Sequence, residues 1–185
     1  MYHRALVPPE FVVPDGLACG TYHLRMLSIH DVTKDFEAVI ASRERVAGLL
    51  DPESSWPQGL TPEEDLIDLA WHQREFTLRH SFAYTVMAID ESRCLGCVYI
   101  FPSNAPAFDA AAFYWVRSGA DAEAHDADLG ARFQANGCKR FQSAHERLRP
   151  GNATALKGHS LCSQPRNRAP RSASCASASA PDRTQ

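Results

Sequence analysis

Apolar and polar positions between residues 81 and 118 fall into three strand-like runs, and these set the frame for the rest of the chain. Residues 82–89 mix aromatic and β-branched side chains at period two. Residues 94–101 are almost continuously apolar, the pattern of a strand covered on both faces. Residues 109–117 set Ala110, Ala112, Tyr114 and Val116 against Ala111, Phe113, Trp115 and Arg117, so successive side chains address opposite faces. Asp90-Glu91-Ser92-Arg93 and Pro102-Ser103-Asn104-Ala105-Pro106 supply turn chemistry between the runs. The pattern predicts an antiparallel three-stranded meander at the core.

Upstream, residues 22–27 read as another strand, with Tyr22, Leu24 and Met26 on one face and His23 and Arg25 on the other. Residues 31–45 follow helical spacing: Val32, Phe36, Val39 and Ile40 share a face, while Lys34, Asp35, Glu37 and Arg43 fall mostly outside it. A loop over 48–59 precedes Thr61-Pro62-Glu63-Glu64, which combines an N-cap threonine, a first-turn proline and a capping-box glutamate. That helix is expected to reach about His80 and to bury Leu66, Leu69, Ala70, Phe76 and part of Gln73, with His72 and His80 facing solvent. Residues 126–148 predict a last amphipathic helix. The element order is β-α-α-β-β-β-α, an α+β fold with a mixed sheet and a central antiparallel meander flanked by helices.

Composition changes this picture at one end. The 185 residues carry a net charge of −3, but residues 1–131 hold −11 and residues 132–185 hold +8. No aromatic residue follows Phe141, and the end of the chain is rich in Arg, Ser, Ala and Pro. A segment with so little apolar surface cannot offset its ordering entropy, which predicts a disordered basic tail over 149–185. The expected organisation is an irregular lead-in over 1–20, a domain over 21–148 and that tail, with no further strand after Phe141 and an incomplete C-terminal half. The tail lacks interleaved aromatics, so no nucleic acid is expected. No apolar run is long enough to span a membrane, and prolines interrupt the N-terminal apolar residues where a leader would need a helix. A cytoplasmic protein with reduced thiols is the expectation.

Cys94-x-x-Cys97 is the one spacing that suggests metal or redox chemistry. Regular alternation would turn these two side chains to opposite faces, and no second pair exists, so they read as buried thiols and no metal is expected. Gly-x-Ser-x-Gly, P-loop and dinucleotide fingerprints are missing.

Several phrases, in order, resemble the GNAT superfamily of N-acetyltransferases: Leu24-Arg25-Met26-Leu27 with Asp31, Phe36-Glu37-Ala38-Val39, Glu64-Asp65-Leu66, Phe82-Ala83-Tyr84-Thr85-Val86-Met87, Leu95-Gly96-Cys97-Val98-Tyr99-Ile100 and Tyr114-Trp115-Val116-Arg117. The resemblance covers roughly residues 20–130. It implies an acetyl-CoA-dependent transfer of an acetyl group to the amine of a small molecule or protein, with acetyl-CoA as co-substrate. It leaves room for a homodimer. In that family the pantetheine arm adds to the edge of the strand that ends here at Trp115, Val116 and Arg117. The pyrophosphate then meets the following loop, here Ser118, Gly119 and Ala120. Asp109 and Glu91 are candidate bases and Tyr114 a candidate acid, although turn carboxylates are ordinarily solvated and a core tyrosine ordinarily packs. The loop departs from the family's Gln/Arg-x-x-Gly-x-Gly/Ala phrase: Gly119 has no second glycine at that spacing, and Asp121 and Glu123 would repel phosphate. That departure and the divergent tail support an alternative, a GNAT-like domain that binds acyl-CoA or a partner without turnover.

Overall fold

The computed structural model describes residues 4–49, 51–103, 108–133 and the backbone of a strand over 153–158. Six strands form one sheet in sequence order: β1 (Gly16–Ala18), β2 (Tyr22–Met26), β3 (Phe82–Ala88), β4 (Cys94–Pro102), β5 (Phe108–Val116) and β6 (Ala153–Gly158). The first five pair antiparallel; β6 runs parallel to β5. The helices are α1 (Val32–Ala41), the short α2 (Arg43–Val46), α3 (Pro62–Thr77) and α4 (Ala122–Arg132).

The meander is where the alternation placed it. Phe82, Tyr84 and Val86 of β3 share one buried layer with Val98 and Ile100 of β4 and with Ala110, Ala112, Tyr114 and Val116 of β5. Leu129 and Phe133 cover that layer. Ala83 and Met87, Cys97 and Tyr99, and Trp115 point the other way, under Ala38 and Val39 of α1 and Leu69 of α3. Thr61 caps α3 as its motif predicts: its Oγ1 accepts from the Glu64 N–H at 3.2 Å, and Glu64 accepts in return from the Thr61 N–H at 2.9 Å.

Six expectations need correction. The buried stripe of α1 is turned by one position, so Asp35 is inside (3% exposed) together with Ala38 and Val39, while Phe36 and Ile40 are half-buried. On α3 the buried positions are Asp65, Leu69, His72 and Glu75; Leu66 and Ala70 are exposed, and His72 is 5% exposed. In each case a polar residue occupies the inward position, which hydrophobic periodicity cannot register. The lead-in contributes β1, and Leu6 and Val7 are buried in the main layer. Helix α4 starts at Ala122 rather than 126, and the expected continuation to 148 lies outside the described residues. Finally, β6 lies beyond Phe141, where no strand was expected; backbone pairing to the free edge of β5 demands little of side chains. The rest of 149–185 is outside the described residues.

The sixth correction concerns Cys94 and Cys97. The β3–β4 ladder slips between Val86↔Gly96 and Met87↔Cys94, leaving Leu95 as an extra residue. This bulge reverses the alternation, so Leu95 joins the layer of Val98 and Ile100 while Cys94 and Cys97 face the same side. Gly96 makes it sterically feasible. Its φ is +148°, and a Cβ there would stand 2.1 Å from the Trp115 carbonyl oxygen.

Candidate functional site

The β5 strand positions the first half of the site. The Arg117 N–H donates to the Leu95 carbonyl at 2.7 Å, so antiparallel alternation turns the N–H and C=O of Val116 away from β4. On that far side the pairing with β6 ends at Tyr114↔Gly158. No described strand residue lies beside Trp115 or Val116 there. Among the described residues, the outward-facing backbone of β5 therefore has no strand partner at its C-terminal end.

The chain leaves β5 through residues 117–121 and enters α4. The Ser118 N–H donates to Ser42 Oγ at 2.8 Å and the Ala122 N–H donates to the Gly119 carbonyl at 3.2 Å. The N–H groups of Gly119, Ala120 and Asp121 make no hydrogen bond among the described residues. Arg93, Arg117 and His125 surround these amides in a shallow cavity of about 80 Å³. Orphan amides at a helix start with arginines beside them suit an anion. Two carboxylates work against it: Asp121 is the N-cap residue, and Glu123 lies in the first turn, where Arg45 of α2 pairs with it.

A second cavity, of about 210 Å³, opens on the opposite face of the sheet, lined by Leu49, Asp51, Trp56, Asp68, His72 and Tyr99, with Gly48 and Ser54. His72 packs against Tyr99 with the rings tilted by 33° and their centroids 5.1 Å apart, and its Nε2 lies 3.9 Å from Asp68 Oδ2. Its Nδ1 is buried with no hydrogen-bond partner among the described residues. Burial holds the imidazole below its ordinary value, outweighing the opposite pull of Asp68 and Glu75. The cavity is linked to β5 directly: Trp115 Nε1 donates to the Tyr99 hydroxyl at 3.4 Å.

The residues singled out from the sequence separate accordingly. Trp115 and Val116 are fully buried, so only their backbone is offered at the end of β5; Arg117, Ser118, Gly119 and Ala120 line the 80 Å³ cavity. Tyr114 is 4% exposed and its ring packs so closely on α4 that a Cβ on Gly130 would lie 2.5 Å from its hydroxyl. Glu91 is engaged elsewhere. It accepts from Arg25 Nε at 2.8 Å and Nη2 at 2.6 Å, pairs with His23, and is drawn down to about 2, chiefly by the Arg25 hydrogen bonds. A carboxylate held so low is a poor proton acceptor near neutral pH. Asp109 begins β5 after Phe108, and its side chain lies outside the described residues. Sequence reasoning missed Arg93, which reads as a turn residue, and His72. The signal for His72 was its place in the stripe Asp65, Leu69, His72, Phe76, spaced four, three and four.

No helix among the described residues is long and apolar enough to cross a membrane. No family model matches the chain, and no curated protein does. Among solved structures, it is similar to a Vibrio cholerae protein described as a ribosomal-protein-serine acetyltransferase, at 12% identity over 71% of each chain, with a TM-score of 0.53. The ribosomal-protein-S5-alanine acetyltransferase of Vibrio fischeri is 17% identical over 65% of this chain and 68% of its own, with a TM-score of 0.47. A GNAT-family acetyltransferase of Bordetella pertussis is 16% identical over 73% and 87%, with a TM-score of 0.45. Identities this low speak to backbone alone, and the Vibrio cholerae structure carries the comparison. On that backbone, with its ordered meander and following helix, the chain shares the GNAT-like fold of that acetyltransferase.

Proposed function

We propose that this chain transfers the acetyl group of acetyl-CoA to a primary amine on a small molecule or a protein. The observation that carries the reading is the outward-facing backbone of Val116 beyond Tyr114↔Gly158, unpaired among the described residues and placed directly before the orphan amides and arginines at the start of α4. An extended amide-bearing arm can add to such a backbone by hydrogen bonds. The N–H of Val116, turned outward, suits the polarisation of a thioester carbonyl. Arg93, Arg117 and the amides of Gly119 and Ala120 suit the phosphates.

The amine is assigned to the 210 Å³ cavity on the other face. An aliphatic ammonium must lose a proton before its nitrogen can attack. His72 is the proposed acceptor: it is held neutral by burial, and Asp68 stands by to stabilise the imidazolium. Attack on the thioester carbon forms the C–N bond, the C–S bond breaks, and the proton that the nitrogen sheds as the amide forms passes to the departing thiolate, which leaves as CoA thiol. Asp109 stands as an alternative base on the family resemblance alone. A reading without turnover is favoured by Asp121 and Glu123, whose charges oppose phosphate at the same helix start.

Calorimetric titration of acetyl-CoA into the whole chain separates the readings. Binding weakened about 10- to 100-fold in Arg117→Ala, the loss of one charge-assisted contact, supports the assigned cleft. Thiol release with a panel of primary amines, abolished in His72→Asn, then supports transfer. Failure of the folded chain to bind acetyl-CoA would overturn the proposal, and binding without thiol release for any amine would favour the inactive reading.

A further inference from the structure

We propose that Asp35, Cys94 and Cys97 form a buried binding site for a thiophilic divalent cation of the zinc class. The site stands apart from the acyl-transfer reading. Its three donor atoms, one from α1 and two from β4, all lie within 4.8 Å of one another. Cys97 Sγ is 3.2 Å and Cys94 Sγ 3.9 Å from Asp35 Oδ1. In a tetrahedral site with Zn–S near 2.3 Å and Zn–O near 2.0 Å, the sulfur-to-oxygen edge is about 3.5 Å, midway between the two. The donors therefore already outline one face of such a site. Thr85 Oγ1, 3.5 Å from Cys94 Sγ, marks the direction of a fourth position, open to that hydroxyl or to a water.

Two further features point to a cation. Without the bulge the cysteines would face opposite sides of the sheet, and the bulge is held by a glycine whose backbone other residues rarely adopt. The surroundings are also acidic. Asp31 and Asp68 bring further carboxylates to the neighbourhood of Asp35. Asp31 is itself held by Arg25, and Asp65 and Asp68 of α3 add to the same field. The hydrogen bonds that Asp35 accepts from side chains among the described residues come from the two thiols. Three acid groups packed together must either keep their protons or exchange them for a metal, and soft thiolates select zinc over magnesium or calcium. Complete burial of all three residues makes the role structural, with the cation taken up as the chain folds.

The test is refolding of the whole reduced chain in chelator-treated buffer with one equivalent of cobalt(II), followed by displacement with zinc. A sulfur-to-cobalt charge-transfer band at one equivalent per chain, lost on zinc addition, is the expected result. A higher melting temperature in zinc than in chelator should accompany it. The band should survive Cys19→Ser and the combined Cys138→Ser, Cys162→Ser and Cys175→Ser variant. It should disappear in Cys94→Ser with Cys97→Ser. Asp35→Asn, which keeps the side-chain shape, should weaken cobalt binding at least 10-fold. No stoichiometric band from the folded wild-type chain overturns the proposal, as does a band that persists without Cys94 and Cys97. The wild-type titration decides the matter even where a variant fails to fold.

Discussion

Asp65 should make the protein less stable as the pH rises. It sits in the first turn of α3, 2% exposed, and its Oδ2 is buried with no hydrogen-bond partner among the described residues. A helix N-terminus favours a negative charge, but burial outweighs it here and, with Asp35 and Asp68 nearby, moves the carboxyl from 3.8 up to about 7. Between those values the folded chain holds a proton that the unfolded chain has released. Stability is therefore undiminished below pH 3.8, declines as the pH rises, and carries the full penalty above about pH 7. At about 1.4 kcal/mol for each pH unit the penalty is at most about 4 kcal/mol. Burial raises Asp35 as well, so it repels less than a full charge would, which leaves about 2–4 kcal/mol. Asp65→Asn keeps the shape and removes the ionisation. Urea denaturation of metal-free wild-type and variant protein at several pH values from 4 to 9 should give a stability difference that grows with pH in favour of the variant. Parallel profiles across that range would refute the reasoning, since Asp65 would then ionise as readily folded as unfolded.

Three other outcomes follow from the same structure. Glu91→Gln should cost about 1–2 kcal/mol at pH 7, discounted for the 38% exposure of the side chain, and the cost should vanish as the pH falls from 4.5 through about 2, where the folded wild-type carboxylate is protonated; urea melts at pH 7 and pH 2 would check it. Gly96→Ala should destabilise by about 3 kcal/mol or more, because its Cβ would meet the Trp115 carbonyl at a φ of +148°; a shift in urea midpoint under about 0.5 kcal/mol would contradict this. Thr61→Ala should cost about 1 kcal/mol through loss of the capping box, with amide exchange accelerating in the first turn of α3.

The meander was legible because half-buried strands write their faces in alternation, and α3 was legible because a cap is a local hydrogen-bond pattern. The interior polar residues were not. Asp35, Asp65 and His72 read as surface residues by polarity, and only the seating of α1 and α3 on the sheet buries them. The resemblance named Arg117 and Gly119 for the phosphates, and both line the cavity at the start of α4. Arg93 joined it only when the β3–β4 turn came to lie beside α4.

The sequence by itself determined the order of β2, α1, α3, β3, β4 and β5, the two faces of β5 and the start of α3, all set by interactions within a few residues. Tertiary structure alone decided that Cys94 and Cys97 face Asp35, that His72 lines a cavity, and that the described pairing of β5 with β6 stops at Tyr114. A one-residue slip in the ladder reverses every side chain beyond it, and the geometry of the partner strand, far away in sequence, determines where that slip falls.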